Sequence, residues 1–299
     1  MLVDRAAVLW QYLLPKHLLT RLLGRLAGAP HGAATTRVIR WFIARYRVEM
    51  DEAAEPDPGA YRSFNDFFTR ALKPGARPLA AADLVCPVDG AVSQCGALEG
   101  GQLIQAKGHT YAAAVLLGGD ADMAARFAGG WFATLYLSPK DYHRIHMPCA
   151  GRLRRMVHVP GALFSVNPQT VRGVPQLFAR NERVVCEFEG EAGPFVLVLV
   201  GATVVGSIAT VWHGVVNPPR PGRLREWRYD AQPVELAQGA ELGRFQLGST
   251  VILLLPPSPL QFAPHWAPGT AIRMGEAMAW RRAASPAGEA AAANPLPPG

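Results

Sequence analysis

The sequence predicts a mainly β protein of the α+β class, a β-rich catalytic core preceded by amphipathic helices. Three observations predict it. Residues 195–212 read FVLVLVGATVVGSIATVW, an uncharged run rich in Val, Ile and Thr that Gly201 and Gly206 divide into pieces of strand length. The same texture recurs at 131–137, 183–188 and 251–255, separated by Gly and Pro turns. The amino end carries instead leucines and aromatics at helical spacing among basic residues.

Composition sets the class of partner. The chain of 299 residues is long enough for a large core in one or two domains. With 49% hydrophobic and 18% charged residues it is apolar for a soluble protein but unlike a multi-span membrane protein. A net charge of +7 favours an anionic partner, and anionic lipid and nucleic acid both match that sign. Cys86, Cys95, Cys149 and Cys186 form no CxxC pair and read as free thiols in a reducing compartment. Pro15, His17 and later arginines interrupt the early apolar residues, so no signal peptide is expected.

Taken in order, the first 50 residues hold eight basic residues against two acidic ones. Leu14, Leu18, Leu19, Leu22, Leu23 and Leu26 recur at helical spacing, with Pro15 suited to a first turn and Gly28 to a stop. A second helix is expected over 36–48, where Val38, Ile39, Trp41, Phe42, Ile43 and Tyr46 lie among four arginines. Leucine and aromatic anchors with basic residues suit a helix lying in a lipid interface, and equally one packed on its own domain. Neither segment is long and apolar enough to span a bilayer. Residues 55–59, EPDPG, form a turn-rich linker, after which Ser63 caps an aromatic helical turn. The expected organisation is a basic helical docking segment and linker at 1–60, a β-rich domain at 61–282 and a disordered Ala/Pro/Gly-rich tail at 283–299.

The polar clusters carry the chemistry. Asp89 sits in a turn, CPVDG, where a capping role is the ordinary expectation. His143 and His146 lie three apart in DYHRIHMP; with Cys149 they make three candidate ligands without the usual paired pattern, and no metal is expected. Residues 164–168 (FSVNP) and 177–183 (LFARNER) are dense in polar groups beside aromatics. Residues 241–250, ELGRFQLGST, lead straight into an apolar strand. Gly-Ser-Thr there is a turn in most proteins, yet a serine hydroxyl can also attack the carbonyl that precedes it if a base removes its proton. Gly248 supplies an unhindered carbonyl and the freedom to bend toward that hydroxyl. If the resulting ester eliminates its carboxylate, Ser249 becomes dehydroalanine, and hydrolysis with loss of ammonia leaves a pyruvoyl group.

Asp89 in PVDG, YHRIHMP, LFSVNP, LFARNERV and ELGRFQLGST, together with QAKGHTY at 105–111, resemble in order the blocks of the phosphatidylserine decarboxylase proenzymes, from about residue 61 to RMGE at 273–276. The resemblance implies self-cleavage at Gly248-Ser249 into a β subunit, 1–248, and an α subunit, 249–299, headed by a pyruvoyl group made from Ser249. It implies that Asp89 and His146 form a charge-relay triad with Ser249, and that His143 serves substrate handling and decarboxylation. The pyruvoyl ketone forms a Schiff base with the phosphatidylserine amine, carbon dioxide leaves, and a histidine protonates the α-carbon to give phosphatidylethanolamine. The anionic lipid substrate implies a peripheral protein on the cytoplasmic face of the cell membrane, with homo-oligomers possible and no nucleic acid as partner. Pro168 stands where relatives often carry histidine, so nothing catalytic is assigned to it. Two rival classes predict an uncut chain: a serine hydrolase using Asp89, His146 and Ser249, and a non-catalytic lipid-binding protein.

Overall fold

The computed structural model describes residues 11–12, 15–106, 109–203, 207–218, 220, 222–246 and 249–281. Gly248 and the expected tail at 283–299 lie outside the described residues, as do Leu14 and Gly206. Strands make up 37% of the structure and helices 20%, the mainly β balance expected.

Two long helices come first, α1 (Lys16–Gly28) and α2 (Ala33–Tyr46), followed by the short α3 (Phe64–Phe68). Pro15 and Gly28 bound α1 as the sequence suggests. α2 starts three residues before the expected Thr36 and ends at Arg47, whose φ of 56° turns the chain out of the helix. Ser63 caps α3 reciprocally: its hydroxyl accepts from the Asp66 amide, and its own amide donates to the Asp66 carboxylate, both at 3.1 Å. Ile39 and Phe42 of α2 pack with Phe67 and Phe68 in a small core of their own. That cluster straddles the expected boundary at 60/61, so the second helix is tied to the domain rather than strung from it.

The strands are β1 (Leu84–Val85), β2 (Gly90–Ala97), β3 (Gln102–Ala106), β4 (His109–Ala112), β5 (Trp131–Leu137), β6 (Arg144–His146), β7 (Gly151–Val159), β8 (Arg183–Gly190), β9 (Gly193–Val200), β10 (Ser207–Thr210), β11 (Gly214–Asn217), β12 (Arg225–Arg228), β13 (Val234–Leu236), β14 (Glu241–Gln246), β15 (Ser249–Leu255), β16 (Leu260–Phe262), β17 (Ala271–Ile272) and β18 (Ala277–Arg281). Nine of them form one sheet in the order β12-β7-β8-β9-β15-β5-β2-β17, with β13 also on β7. A four-stranded sheet runs β11-β10-β14-β6, and two small sheets, β1-β18-β16 and β3-β4, complete the core. Among the described strands every pairing is antiparallel.

β15 occupies the middle of the large sheet, paired residue for residue with β5 from Ser249↔Leu137 to Leu255↔Trp131 and with β9 along its other edge. All seven of its residues are buried. A strand covered on both faces has no polar face to show, which is why STVILLL lacks the alternation of a half-exposed strand. The charge-free run at 195–212 likewise becomes β9 and β10 rather than a span, and no described helix is long and apolar enough to cross a membrane. Leu253, completely buried at the centre of β15, is the sharpest probe of this arrangement. In an uncut Ser249→Ala background, Leu253→Ala is expected to cost about 2–5 kcal/mol of stability, measured by denaturant unfolding.

Candidate active site

The register of the large sheet gathers the candidate residues at one end. Asp89 immediately precedes β2; Ala91 of β2 pairs with Tyr136 of β5, which pairs with Thr250 of β15. Asp89 and Ser249 are therefore two strands apart on the same rim, about 10 Å at ordinary strand spacing. Gly90 permits this turn, because a Cβ there would stand 2.2 Å from the Tyr136 carbonyl oxygen. The second sheet brings the histidines. β14 runs toward Ser249 beside β6, where the Phe245 amide donates to the His143 carbonyl at 3.1 Å. At the other end of β6 the His146 amide donates to the Pro87 carbonyl at 2.8 Å, two residues before Asp89.

Ser249 is fully buried and its hydroxyl has no hydrogen-bond partner. A buried hydroxyl left unpaired costs about 1–3 kcal/mol, a cost shared here by Thr250 on the same strand and by Thr134 on β5. His143 is also fully buried, against the Phe68 ring with centroids 4.0 Å apart. Its Nδ1 lies 2.8 Å from the Asp141 carbonyl oxygen, which can only accept, so the proton is on Nδ1. The Nε2 lone pair is buried and unpartnered. Burial pushes the His143 pKa down to about 3, with the Arg70 charge adding to the effect against the Asp141 hydrogen bond. His143 is thus a neutral imidazole with one free basic nitrogen.

His146 is placed differently. Its Nδ1–H donates to the Gly239 carbonyl at 2.8 Å and its Nε2 accepts from the Tyr142 hydroxyl at 3.1 Å. Burial lowers its pKa, while the Gly239 hydrogen bond and the charges of Glu241 and Asp89 oppose that. The Asp89 carboxylate is taken by other groups: Arg77 forks onto it with Nε at 3.0 Å from Oδ1 and a terminal nitrogen 2.6 Å from Oδ2, and the Met274 amide donates to Oδ1 at 2.8 Å. The structure therefore brings Asp89 and Ser249 to one rim of the large sheet, sets His143 beside the end of β14 that leads to Ser249 and His146 at the opposite end of β14, next to the Pro87–Asp89 turn; Asp89, His146 and Ser249 are not hydrogen-bonded into a relay. Asp89 acts on His146 through space.

Arg77, Tyr142 and Gly239 were not legible as site residues. Tyr142 stood inside the quoted DYHRIHMP block, the one available signal; a carboxylate's arginine 12 residues upstream offers none. The other polar blocks prove to be scaffolding. The Asn181 side chain exchanges hydrogen bonds with both the amide and the carbonyl of Phe164 and donates to the Gly201 carbonyl. Arg183 donates to the carbonyls of Val115, Leu116, Ala179 and Asn181, and Glu182 holds His158 and Arg220. Asn167 caps the helical turn that Pro168 begins, which accounts for that proline without a catalytic duty.

A cavity of about 660 Å³ opens beside Asp89, lined there by Tyr136, Ser138 and Tyr142 and reaching Arg47 and Glu49 at the end of α2. The model of the family described as phosphatidylserine decarboxylase matches residues 64–279, which include most of the cavity lining, the two larger sheets and all four candidate residues. The chain belongs to the phosphatidylserine decarboxylase family. A second model, described as PSD, matches residues 6–47. Proteins named phosphatidylserine decarboxylase proenzyme are 70% identical over 276 residues in Albidiferax ferrireducens, 69% over 275 in an Azoarcus species and 70% over 276 in Variovorax paradoxus. Each alignment covers 92% of this chain and 96–98% of the relative. The decarboxylase family resemblance read from the motifs is thereby established over nearly the whole chain.

The buried neutral His143 makes a pH prediction for this decarboxylase-family site. Its pKa is lower folded than unfolded, so its contribution is fully present above about pH 6.5 and is lost as the unfolded chain takes up the proton on acidification. By pH 5 the loss is about 2 kcal/mol. Thermal unfolding followed from pH 7 to pH 5 should therefore show wild type losing more stability than His143→Gln; parallel profiles would contradict the assignment.

Proposed function

We propose that this chain is a self-processing, pyruvoyl-dependent decarboxylase that converts phosphatidylserine to phosphatidylethanolamine and carbon dioxide. The observation that carries the reading is the fully buried, unpartnered Ser249 hydroxyl at the head of the central strand, directly after a glycine. Held dry and without a competing acceptor, that hydroxyl is free to turn on the Gly248 carbonyl once a base takes its proton. Elimination then leaves the serine oxygen on the new carboxylate of residue 248, and water replaces the nitrogen at 249 as ammonia leaves. The residues present fit a pyruvoyl group at 249: the position is enclosed, and no disulfide or metal cluster competes for the space among the described residues. When formed, that group supplies a carbonyl that takes up the substrate amine and accepts the electron pair released with carbon dioxide.

The side chains divide the remaining work. Asp89, His146 and Ser249 serve self-cleavage, His146 as the base and Asp89 as the charge that favours its protonated form. Completing the relay requires the His146 Nδ1–H to leave the Gly239 carbonyl and the Asp89 carboxylate to loosen from Arg77. His143, neutral at rest with a free Nε2, takes the proton that the substrate ammonium sheds before condensing and delivers it to the α-carbon that carbon dioxide leaves. Intact-mass spectra of wild type and Ser249→Ala test the scheme. Wild type should give two pieces split at 248/249, the smaller one lighter than its serine peptide by one ammonia and without a free amino end, while Ser249→Ala stays whole. A single uncut wild-type chain that reacts with acyl-serine probes would make it a hydrolase instead.

The enzyme works as a peripheral protein on the cytoplasmic face of the membrane, docked by its amino-terminal helices. Leu18, Leu22 and Leu26 form one exposed stripe on α1, and Val38 and Trp41 one on α2, with Leu18 57% and Trp41 58% exposed. Arginines border both stripes, and each basic residue near anionic lipid adds about 1 kcal/mol. Removing residues 1–50 outright would strip Ile39 and Phe42 from the core, so the stripes are better tested by serine. Replacing Leu18, Leu22, Leu26 and Trp41 together by Ser should lower binding to phosphatidylserine vesicles at least about tenfold in a flotation assay while self-cleavage proceeds.

A further inference from the structure

Arg70 is a buried cation that no described carboxylate touches; Asp89 and Asp141, which line the same cavity, act on it only through space. Arg70 follows α3, is only 5% exposed and lines the 660 Å³ cavity beside Asp89 and Tyr142. One terminal nitrogen donates to the Lys140 carbonyl at 3.1 Å, and the guanidinium lies 5.5 Å from the Phe67 ring centre. Its Nε is buried with no acceptor, and among the described residues it pairs with no carboxylate. The other arginines that line the cavity's inner wall are already neutralised: Arg77 by Asp89 and Glu52, Arg273 by Glu52 and Glu49. Lys140 and Arg47 are exposed to water. A buried guanidinium donor left unpaired in such a cavity is made for an anion that arrives with the ligand.

We propose that Arg70 binds the phosphodiester of the lipid headgroup and so fixes the substrate's depth in the cavity. The inference rests on the decarboxylase reading above. The substrate offers two anions, and the reaction distinguishes them. The carboxylate loses its charge as carbon dioxide forms, so a cation clamped on it would stabilise the ground state and raise the barrier. The phosphodiester keeps its charge throughout, and binding it holds the substrate without opposing the chemistry. The position agrees. The cavity runs from Tyr142 and Asp89 to Arg47 at the end of α2, whose exposed face carries Val38 and Trp41. A lipid with its chains on the helix side and its amine at the sheet rim passes its phosphate along the wall that Arg70 lines. Phe68, two residues before Arg70, contacts His143, so the same short segment touches both the headgroup site and the proton carrier.

The mature enzyme, its cleavage verified by intact mass, is tested as wild type, Arg70→Gln and Arg70→Lys in detergent micelles. Steady-state decarboxylation gives KM and kcat for phosphatidylserine, and product inhibition gives Ki for phosphatidylethanolamine, which keeps the phosphodiester but has lost the carboxylate. Arg70→Gln should raise KM and Ki by the same factor, about ten- to hundredfold, with kcat within about threefold of wild type. Arg70→Lys, which keeps the charge but not the fork, should raise both by less. A KM increase with unchanged Ki would assign Arg70 to the carboxylate and overturn the proposal; KM and Ki both unchanged would make Arg70 structural and overturn it too. Should Arg70→Gln fail to mature, Arg70→Lys decides alone by the same joint shift of about three- to tenfold. A wild-type enzyme that releases no carbon dioxide from phosphatidylserine overturns the underlying reading instead.

Discussion

Desolvation at the head of β15 is the constraint on which the site depends. Because β5 and β9 pair with this strand on both edges and the core covers both faces, Ser249 enters the fold fully buried. The same dryness keeps His143 neutral and leaves its Nε2 lone pair without water to satisfy it. Two polar atoms that would be quiet in solvent are thus held buried and unpaired, one at the head of a strand of the large sheet and one just before β6 of the second. The cost is small beside the apolar area that β15 buries, so the strand's packing sustains the strain of the site.

Around that dry centre the charges are paired with care. Arg77 forks onto Asp89 and reaches Glu52, and Arg273 reaches Glu52 and Glu49, which ties the rim of the large sheet to the segment that follows α2. This network crosses the point where the chain passes from helices to sheet, as does the apolar cluster of Ile39, Phe42, Phe67 and Phe68. The amino-terminal helices and the candidate site therefore share one packed and ion-paired boundary. Arg70 sits beside these paired arginines without an ion pair of its own.

Much of the fold was legible because periodicity reports burial. The uncharged runs at 131–137, 195–200 and 251–255 are strands in the middle of the large sheet, and Ser63 caps its helix as expected, with Asp66 as the partner that the structure adds. The candidate site was legible as well, but as a set of names: Asp89, His143, His146 and Ser249 come from separate blocks; sheet register carries Asp89 and Ser249 to one rim, and the second sheet sets the histidines along β14. What the blocks could not convey was the partners. His146 takes Gly239 and Tyr142, and Asp89 takes Arg77, because hydrogen-bond partners are chosen by distance in space.

The sequence by itself determined the strand texture, the amphipathic amino end, the family and the candidate residues for the chemistry, all of which are carried by local order along the chain. Only the tertiary structure decided which of those residues are dry, which are paired and which are left wanting a partner. His143 and His146 differ by three positions and one chemistry is written in both, yet one is a sealed neutral base and the other a hydrogen-bonded link between two loops. Arg70 and Arg77 are likewise the same residue type seven positions apart, one unpaired and one neutralised. Burial and pairing depend on neighbours distant in sequence, and those are set only when the sheets close.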